Sequence, residues 1–116
     1  MSKIICVDFD NTVCDSKFPN EGPPINGAKE ALEELKRDGW EIHILSCRTS
    51  PSVYKYPIDR IEQVRKMEQF LKENNIPFDK VLNMDKPIAY CYIDDRAVAF
   101  RGDWKQAIID VKKLNG

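Results

Sequence analysis

The sequence predicts an α/β fold, one domain with a mainly parallel sheet and helices on both faces. Three observations lead there. Short apolar runs alternate with segments whose apolar residues recur at helical spacing, the pattern of parallel strands joined by crossover helices. The clearest runs end in acids or a hydroxyl: Asp8-Phe9-Asp10, then Ser46, then Asp94-Asp95. Open α/β sheets place their ligands at that carboxyl-terminal edge. The length, 116 residues, is near the common size of a single domain and allows a core without staples.

The first strand is expected over Lys3 to Phe9, where Ile4, Ile5, Cys6 and Val7 form an apolar run. A polar loop follows from Cys14 to Pro24, broken by Pro19, Gly22, Pro23 and Pro24. Asn26 reads as the cap of a first helix, with Ala28, Ala31, Leu32 and Leu35 on one face and Asp38-Gly39 as its stop. Trp40 to Leu45 reads as the second strand, and Thr49 to Pro57 as a loop with two prolines. The second helix runs from Ile58 to Glu73, with Ile61, Val64, Met67, Phe70 and Leu71 inward; Asn74-Asn75 ends it and Pro77 blocks continuation. Lys80 to Leu82 is a short third strand, Ile88 to Ile93 a fourth and Val98 to Phe100 a fifth. Asp103 caps a last helix through Leu114 that turns Trp104, Ala107, Ile108 and Val111 inward.

Apolar residues make up 42% of the chain and charged residues 32%, the balance of a globular protein. A formal charge of -1 argues against a dedicated nucleic-acid binder. No apolar run has the length of a membrane span, and the chain is expected to enter its first strand without a signal peptide, which points to the cytoplasm. Cys6, Cys14, Cys47 and Cys91 form no C-x-x-C pair and are expected as reduced core cysteines. His43 lies within a predicted strand and has no second histidine to join it in a zinc site; Trp40 and Trp104 read as core or rim packing.

In a parallel sheet, Asp8, Asp10, Ser46, Lys86 and Asp94-Asp95 share one edge, although they are far apart in sequence. A cation, a hydroxyl and an ammonium around a carboxylate nucleophile suit phosphoryl transfer, which consists mostly of positioning and charge neutralisation. Acids gathered there repel one another, and a divalent cation relieves that; oxygen-only ligands favour Mg2+.

The chain resembles the haloacid-dehalogenase-like hydrolases, a superfamily dominated by magnesium-dependent phosphatases, through four ordered motifs over nearly its whole length. Asp8-Phe9-Asp10-Asn11-Thr12 is similar to the first, D-x-D-x-T. Ile42-His43-Ile44-Leu45-Ser46 is similar to the second, Lys86 is the candidate for the basic third with Lys80 as its alternative, and Tyr92-Ile93-Asp94-Asp95 is similar to the fourth. The resemblance implies a Rossmann-like sheet of order 3-2-1-4-5, with Asp8 as nucleophile and Asp10 as general acid and base. It also implies Mg2+ held by Asp8, the Asp10 carbonyl and Asp94 or Asp95. Ser46 would donate to the phosphoryl group and Lys86 would offset its charge. Asn11, Thr12, Cys47 and Arg48 stand beside these motifs as candidate substrate contacts, Arg48 either on a substrate anion or paired with an acid. Only about seven residues separate Lys86 from Asp94. They can span roughly 23 Å against the roughly 14 Å of three strand spacings, so that crossing is taut and holds no helix.

The short segments at Cys14 to Pro24 and Thr49 to Asp79 leave no room for a cap domain. An uncapped site suits a macromolecular phosphorylated substrate, or a small phosphate ester covered by a lid from a homo-oligomer. Lys17, Phe18, Tyr54, Lys55 and Tyr56 lie in the loops able to flank it. Transfer to an acceptor other than water would use the same residues. A receiver-like signalling module would place its acidic pair after the first strand and its phosphorylated Asp after the third, which is not the order here. A non-catalytic phosphate-binding module is the remaining alternative.

Overall fold

The computed structural model describes residues 3–114. Its elements are β1 (Lys3–Val7), β2 (Cys14–Lys17), β3 (Asn20–Pro24), α1 (Ala28–Arg37), β4 (Trp40–Ile44), a 3-10 turn (Cys47–Thr49), α2 (Pro57–Glu73), β5 (Lys80–Val81) and α3 (Trp104–Leu114). Strands β1, β4 and β5 form a three-stranded sheet in the order β1-β4-β5, and β2 and β3 form a separate pair. Both ladders of the larger sheet are parallel; Lys3 to Val7 lie opposite Trp40 to Ile44, and His43 and Ile44 opposite Lys80 and Val81. Successive residues Ile42, His43 and Ile44 are all buried, so both faces of β4 are covered, as expected of a central parallel strand.

Helix α1 packs against β4 and α3, and α2 packs against β5 and the 3-10 turn. Ala28, Ala31, Leu32 and Leu35 form the buried face of α1, as their spacing predicts. The inward face of α3 is also the expected one, Trp104, Ala107, Ile108 and Val111, and Asp103 caps it by accepting from the amides of Lys105 and Gln106. Phe9 is fully buried and meets Phe70 of α2 edge-on at 5.3 Å between ring centres.

Several expectations are corrected. The stretch from Cys14 to Pro24 is an antiparallel hairpin rather than a loop. Its prolines are tolerated because a two-stranded ribbon leaves amide positions unpaired, and Gly22 is required because a Cβ there would lie 2.2 Å from the Asp15 carbonyl oxygen. Gly27, not Asn26, caps α1, without a side-chain hydrogen bond and at φ 86°. In α2, Ile61 is exposed and Gln63 is buried, because the inward phase runs through positions 63, 67, 70 and 71 and its first position faces a buried guanidinium. Cys6 and Cys91 are exposed, and only Cys14 is a core cysteine.

The fourth and fifth strands are not formed: neither 88–93 nor 98–100 enters a ladder. The Tyr92 hydroxyl donates to the Pro87 carbonyl. Five residues in extended form would separate their Cα atoms by ~16 Å, beyond the reach of a tyrosine, so the segment curls. Ile88, Tyr90 and Ile93 are consequently exposed. β1 is therefore an edge strand among the described residues, and the sheet they form has three strands rather than the expected five.

Asp79 fastens the start of β5. Its carboxylate accepts from the Ile42 amide at 2.7 Å and from Lys36 Nζ at 2.8 Å. The Lys36 hydrogen bond, then the amide, hold this carboxyl below the ordinary aspartate value. A depressed carboxyl stabilises the fold above its unfolded pKa of about 3.9 and loses that contribution as pH falls through the folded value. Urea titration of Asp79→Asn should therefore show a deficit of ~1 kcal/mol at pH 7 that narrows only below about pH 4. A deficit independent of pH down to 2.5 would contradict this reading.

Candidate functional site

The parallel pairing of β1 and β4 creates the site. The Leu45 amide donates to the Val7 carbonyl at 3.0 Å, so the two strands end side by side, with Asp8 leaving one and Ser46 following the other. The chain then turns sharply: the Phe9 carbonyl accepts from the amides of Thr12, Val13 and Cys14. Asn11 sits in the left-handed region at φ 62°, a conformation that asparagine tolerates better than most residues, and its Oδ1 accepts from the Ser16 amide. Trp104 braces the turn from α3, its indole N–H donating to the Thr12 carbonyl at 2.9 Å. Thr12 Oγ1 donates to Asp8 Oδ2 at 3.3 Å.

Lys86 Nζ lies 2.9 Å from Asp8 Oδ1, across 78 residues of sequence. Of the two lysines weighed for this role, Lys86 reaches the nucleophile candidate; Lys80 is exposed on β5, opposite His43. The loop carrying Lys86 is pinned by residues that the motif reading passed over. Thr49 Oγ1 donates to the Met84 carbonyl at 2.6 Å, Ser50 Oγ donates to Asp85 Oδ1 at 2.8 Å, and the Leu82 amide donates to the Ile44 carbonyl. Their only sequence signal is a run of hydroxyls after Ser46, which has no periodicity.

Arg48 corrects an expectation. It was a candidate substrate contact, but its side chain is 1% exposed. Its Nε donates to Asp10 Oδ2 and one terminal nitrogen to Asp10 Oδ1, both at 2.8 Å. The other terminal nitrogen reaches Glu21 Oε2 at 2.9 Å, Gln63 Oε1 at 3.1 Å and the Pro19 carbonyl. The guanidinium carbon lies over the rings of Phe9 and Phe18, at 5.3 and 5.1 Å from their centres. Burial works against this charge, but the hydrogen bonds and negative charges of Asp10 and Glu21 overcome it and raise the guanidinium above its ordinary value. Lys66, 3.7 Å from Glu21, also donates to the Pro19 carbonyl. The hairpin is thus held to the site by two cations.

Ser46 is buried, and its Oγ accepts from the Arg48 amide at 3.0 Å, capping the 3-10 turn. Cys47 Sγ lies 3.8 Å from the Tyr92 hydroxyl, and Lys86 Nζ lies 5.4 Å from the Tyr92 ring centre. Asp94 and Asp95 are exposed, and Asp94 closes its own turn by accepting from the Arg96 amide. Among the described residues, no three acids, histidines or cysteines gather as a metal cluster. The structure therefore joins Asp8 with Thr12 and Lys86, and Asp10 with Arg48 beside Ser46, while Asp94 and Asp95 are exposed and no described hydrogen bond or ion pair ties them to these groups. Phe18 meets Tyr54 at 6.0 Å between ring centres. His43 is buried on β4, its Nε2 2.5 Å from a Glu41 carboxylate oxygen. Among the described residues, no helix is long and apolar enough to cross a membrane.

No family model matches the chain, and no curated protein matches it. Two solved structures are similar. The crystal structure of a target protein from Vibrio cholerae is 24% identical at a TM-score of 0.67, over 93% of this chain and 98% of that one. The structure of a conserved protein from Bacteroides thetaiotaomicron is 22% identical at a TM-score of 0.61, over 98% of this chain and 93% of that one. At these identities the likeness concerns the fold.

Cys14 opens β2 and is fully buried, and burial, ahead of all other influences, pushes its thiol up to about 11. At pH 8 only ~10⁻³ of it is thiolate, and the thiolate is the nucleophile. Iodoacetamide at pH 8 should alkylate the exposed Cys6 and Cys91 within minutes and leave Cys14 unmodified until the fold opens, as read by peptide mass spectrometry. Equal labelling of Cys14 in the folded protein would refute this description of the hairpin.

Proposed function

We propose that this chain is a Mg2+-dependent phosphomonoesterase working through an aspartyl-phosphate on Asp8. The observation that carries the reading is the contact of Lys86 with Asp8, at 2.9 Å, at the carboxyl-terminal end of a parallel strand. An ammonium beside a half-exposed carboxylate is what a nucleophile needs when its target is a phosphate dianion.

The chemistry balances with the residues present. An Asp8 oxygen attacks phosphorus as the P–O bond to the leaving group breaks, and the Asp10 carboxyl passes its proton to the departing oxygen. Asp10, now a carboxylate, takes a proton from water as the water oxygen attacks the aspartyl-phosphate. Inorganic phosphate leaves, and both side chains return to their starting forms. Thr12 orients Asp8, and the buried Ser46, expected as a donor to the phosphoryl group, instead caps the turn that carries Arg48.

Mg2+ would be held by the Asp8 carboxylate and the Asp10 carbonyl, with Asp94 or Asp95 joining them only once their segment lies beside β1; these are hard oxygens, which Mg2+ prefers. When bound, the ion would neutralise charge on the phosphoryl oxygens.

We also propose that the full order 3-2-1-4-5 is reached when 88–93 lies along the free side of β1, with 98–100 beyond it. Supporting this are the one-sided pairing of β1, the exposed Ile88, Tyr90 and Ile93, and a cavity of about 370 Å³ beside Ile5 and Val7, lined further by Val98, Phe100 and Trp104. Apolar side chains inserted there would leave water, at ~25 cal/mol per Å² buried.

Two outcomes are expected. Phosphate release from p-nitrophenyl phosphate should require Mg2+, and Asp8→Asn should lower it by more than ~10³-fold; activity that survives Asp8→Asn would exclude Asp8 as nucleophile. Amide hydrogen exchange should show the 89–93 amides protected about as well as those of β5, whereas exchange at the unstructured rate would leave the sheet at three strands.

A further inference from the structure

We propose that Arg48 is the positioning residue for Asp10: it orients the acid–base carboxylate and is itself held by the β2–β3 hairpin. This deepens the phosphatase reading and rests on it.

A guanidinium has five N–H donors and no acceptor. In Arg48 every one points to a protein oxygen. Nε–H meets Asp10 Oδ2. One terminal nitrogen is divided between Asp10 Oδ1 and the Asn20 carbonyl. The other is shared among Glu21, Gln63 and the Pro19 carbonyl. None remains for a substrate anion, and at 1% exposure none could arrive. The arginine therefore acts through what it holds.

What it holds is the plane of the Asp10 carboxylate. An aspartate carboxyl rotates over a broad, shallow torsional well. Two parallel charge-assisted hydrogen bonds from a rigid fork remove that freedom. Each oxygen keeps a second lone pair, and the Asp10 side chain is 25% exposed while its arginine is sealed. The carboxylate thus presents its outer edge to the site in one orientation. Proton transfer in the transition state depends on such alignment.

The fork has its own support. The rings of Phe9 and Phe18 lie beside it. Glu21 and two carbonyls of the hairpin turn hold its far side, and Lys66 balances Glu21. Phe18, Pro19, Asn20 and Glu21 all belong to the hairpin and its turn. A hairpin that shifts moves Arg48, and Asp10 with it.

The leaving group separates this role from simple structural support. Glycerol 2-phosphate expels an alkoxide that must be protonated as it leaves, whereas p-nitrophenolate departs without that help. The ratio kcat/KM reports events up to the first irreversible step, so it isolates the acid role from later hydrolysis. Arg48→Lys keeps the charge and loses the fork. It should lower kcat/KM for glycerol 2-phosphate by ~10²-fold and for p-nitrophenyl phosphate by less than about threefold, with Asp10→Asn showing the same selectivity. Equal losses on both substrates in a folded variant, or no loss on either, would overturn the proposal. Should Arg48→Lys not fold, Glu21→Ala carries the test: it removes the one carboxylate on the far side of the guanidinium, where only the neutral Gln63 and Pro19 acceptors remain, and so loosens the seating of Arg48 without touching Asp10. A several-fold fall in the alkyl-to-aryl ratio is then expected, and an unchanged ratio overturns the assignment. A wild-type protein that hydrolyses neither ester with Mg2+ present defeats the phosphatase reading itself, a result distinct from active enzyme with an unselective Arg48 variant.

Discussion

A buried guanidinium is the constraint on which this arrangement depends. Taking an arginine out of water costs several kcal/mol, and the fold offsets that cost only by surrounding Arg48 with acceptors. Those acceptors come from the turn after β1, from the β2–β3 hairpin and from α2. Removing one of its two carboxylate partners leaves the buried charge under-compensated and is expected to destabilise the fold. The three segments are consequently interdependent, and the hairpin takes a defined place over the site although it shares no ladder with the larger sheet.

The second organising contact is Lys86 with Asp8. Its geometry depends on β5 only indirectly, since that strand is two residues long. The loop beyond it is anchored by Thr49 and Ser50, which lie at the end of the turn that Ser46 caps after the neighbouring strand. The hydroxyls after β4 thus serve the opposite side of the site. This explains why a lysine on an irregular loop still meets a carboxylate at hydrogen-bond distance. Asp8 is then held by one ammonium and one hydroxyl, Asp10 by one guanidinium, and the two neighbouring acids are separated by their different cations.

Much of this was legible beforehand, for reasons that differ by element. The spacing of Ala28, Ala31, Leu32 and Leu35 declares a helix face because burial repeats at the helical period. Asp103 before Trp104 declares a cap because its side chain satisfies amides locally. The hairpin was hidden, since Pro23, Pro24 and Gly22 read as breakers when no partner strand is in view. Gln63 was hidden as well: a buried polar residue follows no hydrophobic period and makes sense only once Arg48 lies opposite. The run 88–93 has the composition of a strand, yet the bond of Tyr92 to Pro87 curls it.

By itself the sequence determined the local periods: the inward faces of α1 and α3, the apolar runs of β1 and β4, and that Asp8, Asp10 and Ser46 each follow such a run. Those features depend on neighbours within a few positions, and any chain with the pattern shares them. Only the tertiary structure brought Lys86 rather than Lys80 to Asp8, turned the Arg48 guanidinium to Asp10, and left Asp94 and Asp95 exposed. Each of these depends on contacts between residues distant in the chain. Charges meet there through loop anchoring and desolvation, and neither leaves a periodic trace in the sequence.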